Sequence, residues 1–433
     1  MNNTTFNAQV FQNQFLPAGA TEVHAIMTVN AATGTGSHLS TSERGGSVLV
    51  LGIILDCSGS MGENDNERLR NAKDAVQQAI KMLRADCQFF VIAGYDRTSV
   101  IVPLCHATES NKRDAVQRVG HLESGGTTCM SKWLSAALEQ FPKGPQYIRQ
   151  ALLLTDGKND AGDSQRLPEV LDQCEDVFQC DARGVGVDWH PEQLRLISGK
   201  LLGTTDIIAK PQDLADDFKT IIERALGMAV SDVCVRLWTP LGATVRYCKQ
   251  VSPEIVDLTA KARINPQTPQ FRDFPTGAWG HETRDYHFSI QTKAGAVGQK
   301  MLAGRASLIL RGPNGEVKAA EAQILAIWTD DDAQSAVIDR RVAHYTGQGE
   351  LAQAIQEGLE ARREGDDAAA TRKLGRAVQL AAESGNDATT KLLRKVVDVI
   401  DEDKGTVKLK RNVEDADEMA LDTRSTKTRR VTV

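Results

Sequence analysis

Aromatic residues are scarce, only 5% of the 433-residue chain. This argues against a platform of rings on which single-stranded bases stack. No run of about 18 apolar residues occurs, so no helix is expected to span a bilayer and no membrane partner is expected. Positive charge is in the minority, with Lys+Arg 51 against Asp+Glu 57 and a net charge of −6. A nucleic-acid partner, which needs concentrated Lys and Arg, is therefore not expected. The opening MNNTTFNAQVFQNQFLPAG has neither the basic start nor the apolar stretch of a signal peptide. The eight cysteines form no C-x-x-C pair, and several sit in apolar runs such as CQFFVIAGY and DVCVRLW. That usage fits reduced, buried thiols in a cytoplasmic protein. P-loop, G-x-S-x-G, H-E-x-x-H and kinase signatures are all missing.

What remains is ordinary globular usage, 41% hydrophobic and 25% charged, in a chain long enough for two or three domains. Residues 1–45 are polar and irregular apart from TEVHAIMTVN, an alternating segment that reads as a strand, and a Gly/Ser/Thr-rich linker follows it. Over 46–227 short apolar strands such as SVLVLGIILD alternate with amphipathic helical stretches, the pattern of a doubly wound, mainly parallel α/β sheet. Residues 228–329 carry strands separated by Gly, Pro and Asn, which suggests an antiparallel β-sandwich. The isolated strand near residue 25 is expected to join that sandwich, making the α/β unit an insertion. Residues 330–404 read as helical. Residues 405–433, an acidic block followed by a basic Thr/Ser-rich end, read as a disordered tail.

The chemistry concentrates where the first apolar strand ends, in Asp56-Cys57-Ser58-Gly59-Ser60. Ligand sites of open α/β sheets lie at the carboxyl ends of the strands. Ser124-Gly125-Gly126-Thr127-Thr128 forms a loop between two helical stretches, and Leu152-Leu153-Leu154-Thr155-Asp156-Gly157 ends a second buried strand at the same edge. Hydroxyls and carboxylates would converge there into an all-oxygen set, which suits Mg²⁺, Mn²⁺ or Ca²⁺ and disfavours zinc. The competing reading has Ser58 and Ser60 capping the following helix.

In their order and spacing, these three elements look like a von Willebrand factor A domain with its metal-ion-dependent adhesion site. The resemblance covers about residues 46–227. It implies that Ser58, Ser60 and Thr127 ligate the metal, with Asp56 and Asp156 as supporting anions, Thr127 being chosen because it directly follows Gly-Gly. The arrangement of the whole chain is similar to bacterial cytosolic A-domain proteins of stress and Ser/Thr-kinase signalling.

The expected function is therefore binding and not catalysis: an adaptor whose metal grips a carboxylate of a protein partner. A Ser/Thr kinase and a forkhead-associated domain protein are further expected partners. Thr423, Thr426 and Thr428 in the tail are candidate phosphorylation sites, Thr423 foremost. An adaptor of an AAA+ ATPase and a metal-dependent hydrolase are the alternatives. Two other features call for a bland reading. The Asp156–Asp163 stretch lacks the closing glutamate of a calcium loop, and GHETRDYHF, with His281 and His287, fits no zinc template and reads as a polar sandwich loop.

Overall fold

A computed structural model of the chain describes residues 4–32, 47–312 and 315–430. Most of the Gly/Ser/Thr-rich linker, and Pro313 and Asn314, lie outside the described residues. The α/β unit is built on a six-stranded sheet. Its spatial order is Ser99–His106, Gln88–Gly94, Val48–Asp56, Tyr147–Thr155, Gln179–Val185 and Thr205–Ile208. All neighbours run parallel except the edge strand Ser99–His106, which is antiparallel. Val48–Asp56 is central and buried along almost its whole length. One face packs under the helices Glu63–Met82 and Leu214–Leu226, and the other under Met130–Gln140 and Ala161–Cys174. A helix at Pro191–Lys200, opened by Pro191 and not expected from the sequence, fills the gap beside Gln179–Val185.

The strand Glu22–Ala32 pairs with Glu282–Gln291, so the α/β unit is indeed inserted into the sandwich. Residues 4–20 are more ordered than their polarity suggested. Thr5–Phe11 pairs along Glu22–Ala32, and Phe15–Pro17 adds a parallel edge to Gly315–Thr329. Their apolar residues are sparse but alternate, so only pairing with the rest of the sandwich reveals the period. The sandwich docks on the amino ends of the α/β strands. Ala278 N–H donates to Gln179 Oε1 (2.8 Å), the Ser231 hydroxyl donates to Pro145 O (2.9 Å), and Lys261 Nζ meets Glu175 (2.7 Å). Among the described residues no helix is long and apolar enough to cross a membrane. All eight cysteines are free, and seven of them are buried.

Arg340–Arg363, Asp367–Glu383 and Asp387–Val396 form the helical region, each opened by an Asp or Asn side chain that accepts from backbone N–H groups. The expected disordered tail is a correction. Residues 397–409 form a two-stranded hairpin, Asp415–Arg424 is a helix, and the chain then runs extended across the sandwich. Leu421 is fully buried in the helical core, and Asp422 is gripped by Arg195 of the α/β unit (2.5 Å) and Arg363 of the helices (2.6 Å). Asp206 takes Arg424 (3.0 Å) and Lys427, while Ile255 N–H donates to Thr426 O (2.8 Å). The tail is thus a strap that touches all three regions. Its apolar residues are too few for a visible period, and its charges find partners only in other domains.

The strap changes the standing of the three threonines. Thr423 is 2% exposed with its hydroxyl unpartnered, and the Thr428 hydroxyl donates to Val251 O (2.6 Å). Leu421→Ala should therefore cost about 2–5 kcal/mol in chemical denaturation. Thr423→Val, which removes an unpartnered buried hydroxyl, should leave stability unchanged or raise it by about 1 kcal/mol. Thr423→Glu should lower the melting temperature, and a melt equal to the parent's would show the strap to be loose. Asp206 carries a pH signature. Burial alone would raise its pKa, but Lys427 and Arg424 outweigh burial and hold the carboxyl below its ordinary range. Its stabilisation is present above the unfolded value near about 3.9 and is lost as pH falls through the folded value. Asp206→Asn should lose stability at neutral pH and show a shallower loss of melting temperature below about pH 4.

Candidate functional site

The site begins with Asp56, the last residue of the central strand, which is wholly buried. Its Oδ1 accepts from the Ser58 N–H (2.7 Å) and its Oδ2 from the Thr155 hydroxyl (2.5 Å). These bonds tie the loop after one strand to the end of the next. The loop is also stitched to its other neighbours through the backbone. Cys57 N–H donates to Gly94 O (2.8 Å), Gly59 N–H to Gly126 O (3.1 Å), and Gly125 N–H to Cys57 O (2.8 Å). The two serines are consequently not helix caps. Ser58 makes no side-chain cap bond, and Gly62 stands before the helix Glu63–Met82.

Ser58 Oγ and Ser60 Oγ lie 3.1 Å apart, and Ser60 donates to Asp156 Oδ1 (2.7 Å). The threonine that joins them is Thr128, whose hydroxyl lies 3.1 Å from Ser58 Oγ. Thr127, assigned to the metal from its place after Gly-Gly, is exposed, and its hydroxyl lies 3.7 Å from Cys129 Sγ. The physical reason is the turn. Gly126 takes φ +69°, and Asp160 N–H captures the Thr128 carbonyl (2.8 Å), so the second threonine faces inward. A side chain at Gly126 would strike the Asp96 carboxylate.

The Asp156–Asp163 stretch holds this loop in place. Asn159 Oδ1 accepts from Met130 N–H (2.9 Å), Asp163 takes the N–H (2.8 Å) and hydroxyl of Ser131, and Asp160 caps Ala161–Cys174. Sequence reasoning also missed Arg68, which donates to Asp156 Oδ2 (2.9 Å) and to Asp188 (3.1 Å). One arginine in a charged helix carries no sequence signal that it turns toward a strand end.

Burial pushes the Asp56 carboxyl up to about 7, the bonds from Ser58 and Thr155 offsetting part of this and the nearby Asp156 adding to it. Asp156 is also raised, by burial first, with Ser60 and Arg68 opposing. Burial thus works against the charged form of both carboxyls, and a cation nearby would favour their charge.

The donor set fits a hard divalent ion. Neighbouring oxygens of a six-coordinate Mg²⁺ shell at about 2.1 Å stand about 3 Å apart, and the hydroxyl pairs Ser58–Ser60 and Ser58–Thr128 are both spaced at 3.1 Å. Gly157 lies directly against them. A Cβ there would fall 3.0 Å from Thr128 Oγ1, 3.1 Å from Ser60 Oγ and 3.9 Å from Ser58 Oγ. Among the described residues there is no group of three or more His, Cys, Asp or Glu placed to hold a metal, so the set rests on hydroxyls.

Comparisons with known proteins agree with this architecture. The family model described as von Willebrand factor type A domain matches residues 51–158, and that described as von Willebrand factor type A C-terminal domain matches residues 379–425. The solved structure of a von Willebrand factor type A protein from Catenulispora acidiphila is 41% identical and superposes with a TM-score of 0.92, covering 99% of this chain and 98% of that one. The crystal structure of the ArnB paralog VWA2 from Sulfolobus acidocaldarius shares the fold at 12% identity, with a TM-score of 0.57 over 98% of both chains. A Synechocystis sp. protein is 27% identical over 218 residues, 49% of this chain and 51% of its own length. A Mesorhizobium japonicum protein of the UPF0229 group is 30% identical over 127 residues, 29% of this chain and 26% of its own. The chain thus spans about half the length of the first of these two curated relatives and about a quarter of the second. With its strand-end Asp-x-Ser-x-Ser, its inserted α/β sheet and a C-terminal strap inside a matched region, the chain belongs to the von Willebrand factor type A family.

Proposed function

We propose that this protein binds a protein partner through a divalent ion, Mg²⁺ or alternatively Mn²⁺ or Ca²⁺, held by Ser58, Ser60 and Thr128. The observation that carries the reading is the convergence of three hydroxyls at the carboxyl edge of the sheet, with Ser58 Oγ 3.1 Å from both Ser60 Oγ and Thr128 Oγ1, beside two buried carboxyls. Neutral hydroxyls leave an ion most of its charge, and what the ion adds when bound is an electrophilic position that suits a partner's carboxylate. Asp56 positions Ser58 through its backbone N–H, and Asp156 accepts from Ser60. Arg68 occupies the other oxygen of Asp156 and limits the negative charge on offer. Around this set the acids already accept from hydroxyls, N–H groups and Arg68, an arrangement that favours anchoring over activation of a water. We therefore read the protein as a binding protein and not an enzyme. Free, mostly buried cysteines support a reducing cytoplasm as its location.

The signalling reading requires a tail that a Ser/Thr kinase and a forkhead-associated reader can reach. Thr423 is buried and the neighbouring backbone is bonded to the sandwich, so such partners would have to detach the strap first. The metal-site role is proposed without them.

Calorimetric titration with Mn²⁺ distinguishes the ligands. The parent and Thr127→Ala should bind alike, whereas Ser58→Ala and Thr128→Ala should each weaken binding by about tenfold or more. Gly157→Ala should also weaken binding while leaving the melting temperature nearly unchanged. Equal heats for the parent and Thr128→Ala would remove the assignment. Arg68→Gln, which withdraws a fixed positive charge from Asp156, should bind Mn²⁺ more tightly than the parent, most clearly at low salt. For the partner, pull-down from a bacterial lysate with Mg²⁺, with chelator, and with Ser58→Ala is the test. Captured proteins that are identical in all three arms would refute ion-dependent binding.

A further inference from the structure

The sandwich carries a second polar cluster, on the face turned away from its apolar interior. On Glu282–Gln291 the residues Tyr286, Phe288 and Ile290 enter the core, so His287 and Ser289 point the other way. The register places Ser289 opposite His24 on one neighbouring strand and opposite Tyr247 on the other. This small residue leaves room for larger neighbours to converge above it. His24 Nδ1 lies 3.3 Å from His287 Nε2, and Tyr247 Oη lies 3.3 Å from the former and 3.2 Å from the latter. The imidazoles meet nearly head to head, with ring centroids 5.4 Å apart. His287 is thus part of a strand, not of the polar loop its local sequence suggested, and its partner is residue 24, not His281.

Three donor atoms in a near-equilateral triangle of this size match one face of a tetrahedron. Ligands about 2.0 Å from a central zinc ion stand about 3.3 Å apart. The outer contacts fit as well. The other nitrogen of His24, Nε2, lies 3.4 Å from Glu22 Oε1, and that oxygen accepts from the Ser289 hydroxyl (2.5 Å). A carboxylate on the far nitrogen is the arrangement that turns an imidazole lone pair toward a metal. The charged neighbours are Glu22 and Lys249, whose Nζ lies 5.0 Å from the Tyr247 ring centroid. Burial first, then His24 and Lys249, lower the His287 pKa to about 3, so the ring is neutral. His24 and Glu22 keep 38% and 50% of their side-chain surface exposed, which gives an ion a way in.

We propose that His24, His287 and Tyr247 form a three-ligand site for a late first-row divalent ion, Zn²⁺ foremost, separate from the hydroxyl set of the α/β unit. Two imidazoles and a phenol select the opposite class of ion from three aliphatic hydroxyls, so the two sites are separable by metal.

The test uses the full chain in excess Mg²⁺, with Zn²⁺ alone as the titrant in calorimetry. The parent should bind one equivalent. His24→Ala, at a partly exposed position, should weaken binding by more than about tenfold, since even outer contacts of a ligating histidine act on that scale. Tyr247→Phe should weaken it while leaving the melting temperature near the parent's, and the Ser58→Ala/Thr128→Ala double variant should leave it unchanged. With Cu²⁺ as a spectroscopic probe, electron paramagnetic resonance should show coupling to two imidazole nitrogens in the parent and not in His24→Ala. Absence of Zn²⁺ binding in the parent, or equal affinity in His24→Ala, would overturn the proposal and leave the triangle as a hydrogen-bonded strut of the sheet.

Discussion

A carboxylate buried at the end of the central strand organises the candidate site. The desolvation of Asp56 is offset in part by hydrogen bonds from the Ser58 side chain and N–H and from the Thr155 hydroxyl. Those bonds turn the Ser58–Ser60 loop over the sheet edge. They also couple it to the strand that delivers Asp156. Once that loop is set, its backbone bonds to Gly126 and Gly125 bring the second loop alongside. Two hydroxyls of one loop and one from a distant loop then meet at contact distance. Without the buried carboxyl, each loop would satisfy its own polar groups in water.

The remaining domains hold the α/β unit in place. The sandwich docks on the amino ends of the strands, away from the carboxyl ends that carry the site. The strap ties the three regions together. Its helix gives Leu421 to the helical core and Asp422 to arginines of two different regions. A buried or half-buried ion pair is a weak source of net stability, but removing one partner is costly because the other charge is left unpaired. The strap therefore specifies how the three regions sit more than it adds to their individual stability.

The two clusters of donors illustrate how one chain separates ion classes. At the α/β edge the donors are hydroxyls, crowded by carboxyls and by a fixed arginine. On the sandwich face they are imidazoles and a phenol, contributed by three adjacent strands. In each case the backbone supplies the spacing, through a positive-φ glycine in one and through cross-strand register in the other.

Much of this was legible along the chain because its signals are local. The all-apolar SVLVLGIILD run could only be a central strand, and Asp56, Ser58, Ser60 and Asp156 follow from strand ends that must share an edge. The alternating residues near His24 announced a strand, and their separation from the later strands announced the insertion. Tertiary structure decided the rest, where the deciding contact is distant in sequence. The choice of Thr128 over Thr127 turns on Gly126 and on Asp160, more than thirty residues away from that glycine. Arg68 reaches Asp156 only because a helix packs over the sheet. The strap is ordered because its charges meet Arg195, Arg363 and Asp206, partners that no periodicity within the tail could disclose. The His24–His287–Tyr247 triangle draws on three strands whose register, a property of pairing and not of any one segment, brings the donor atoms together.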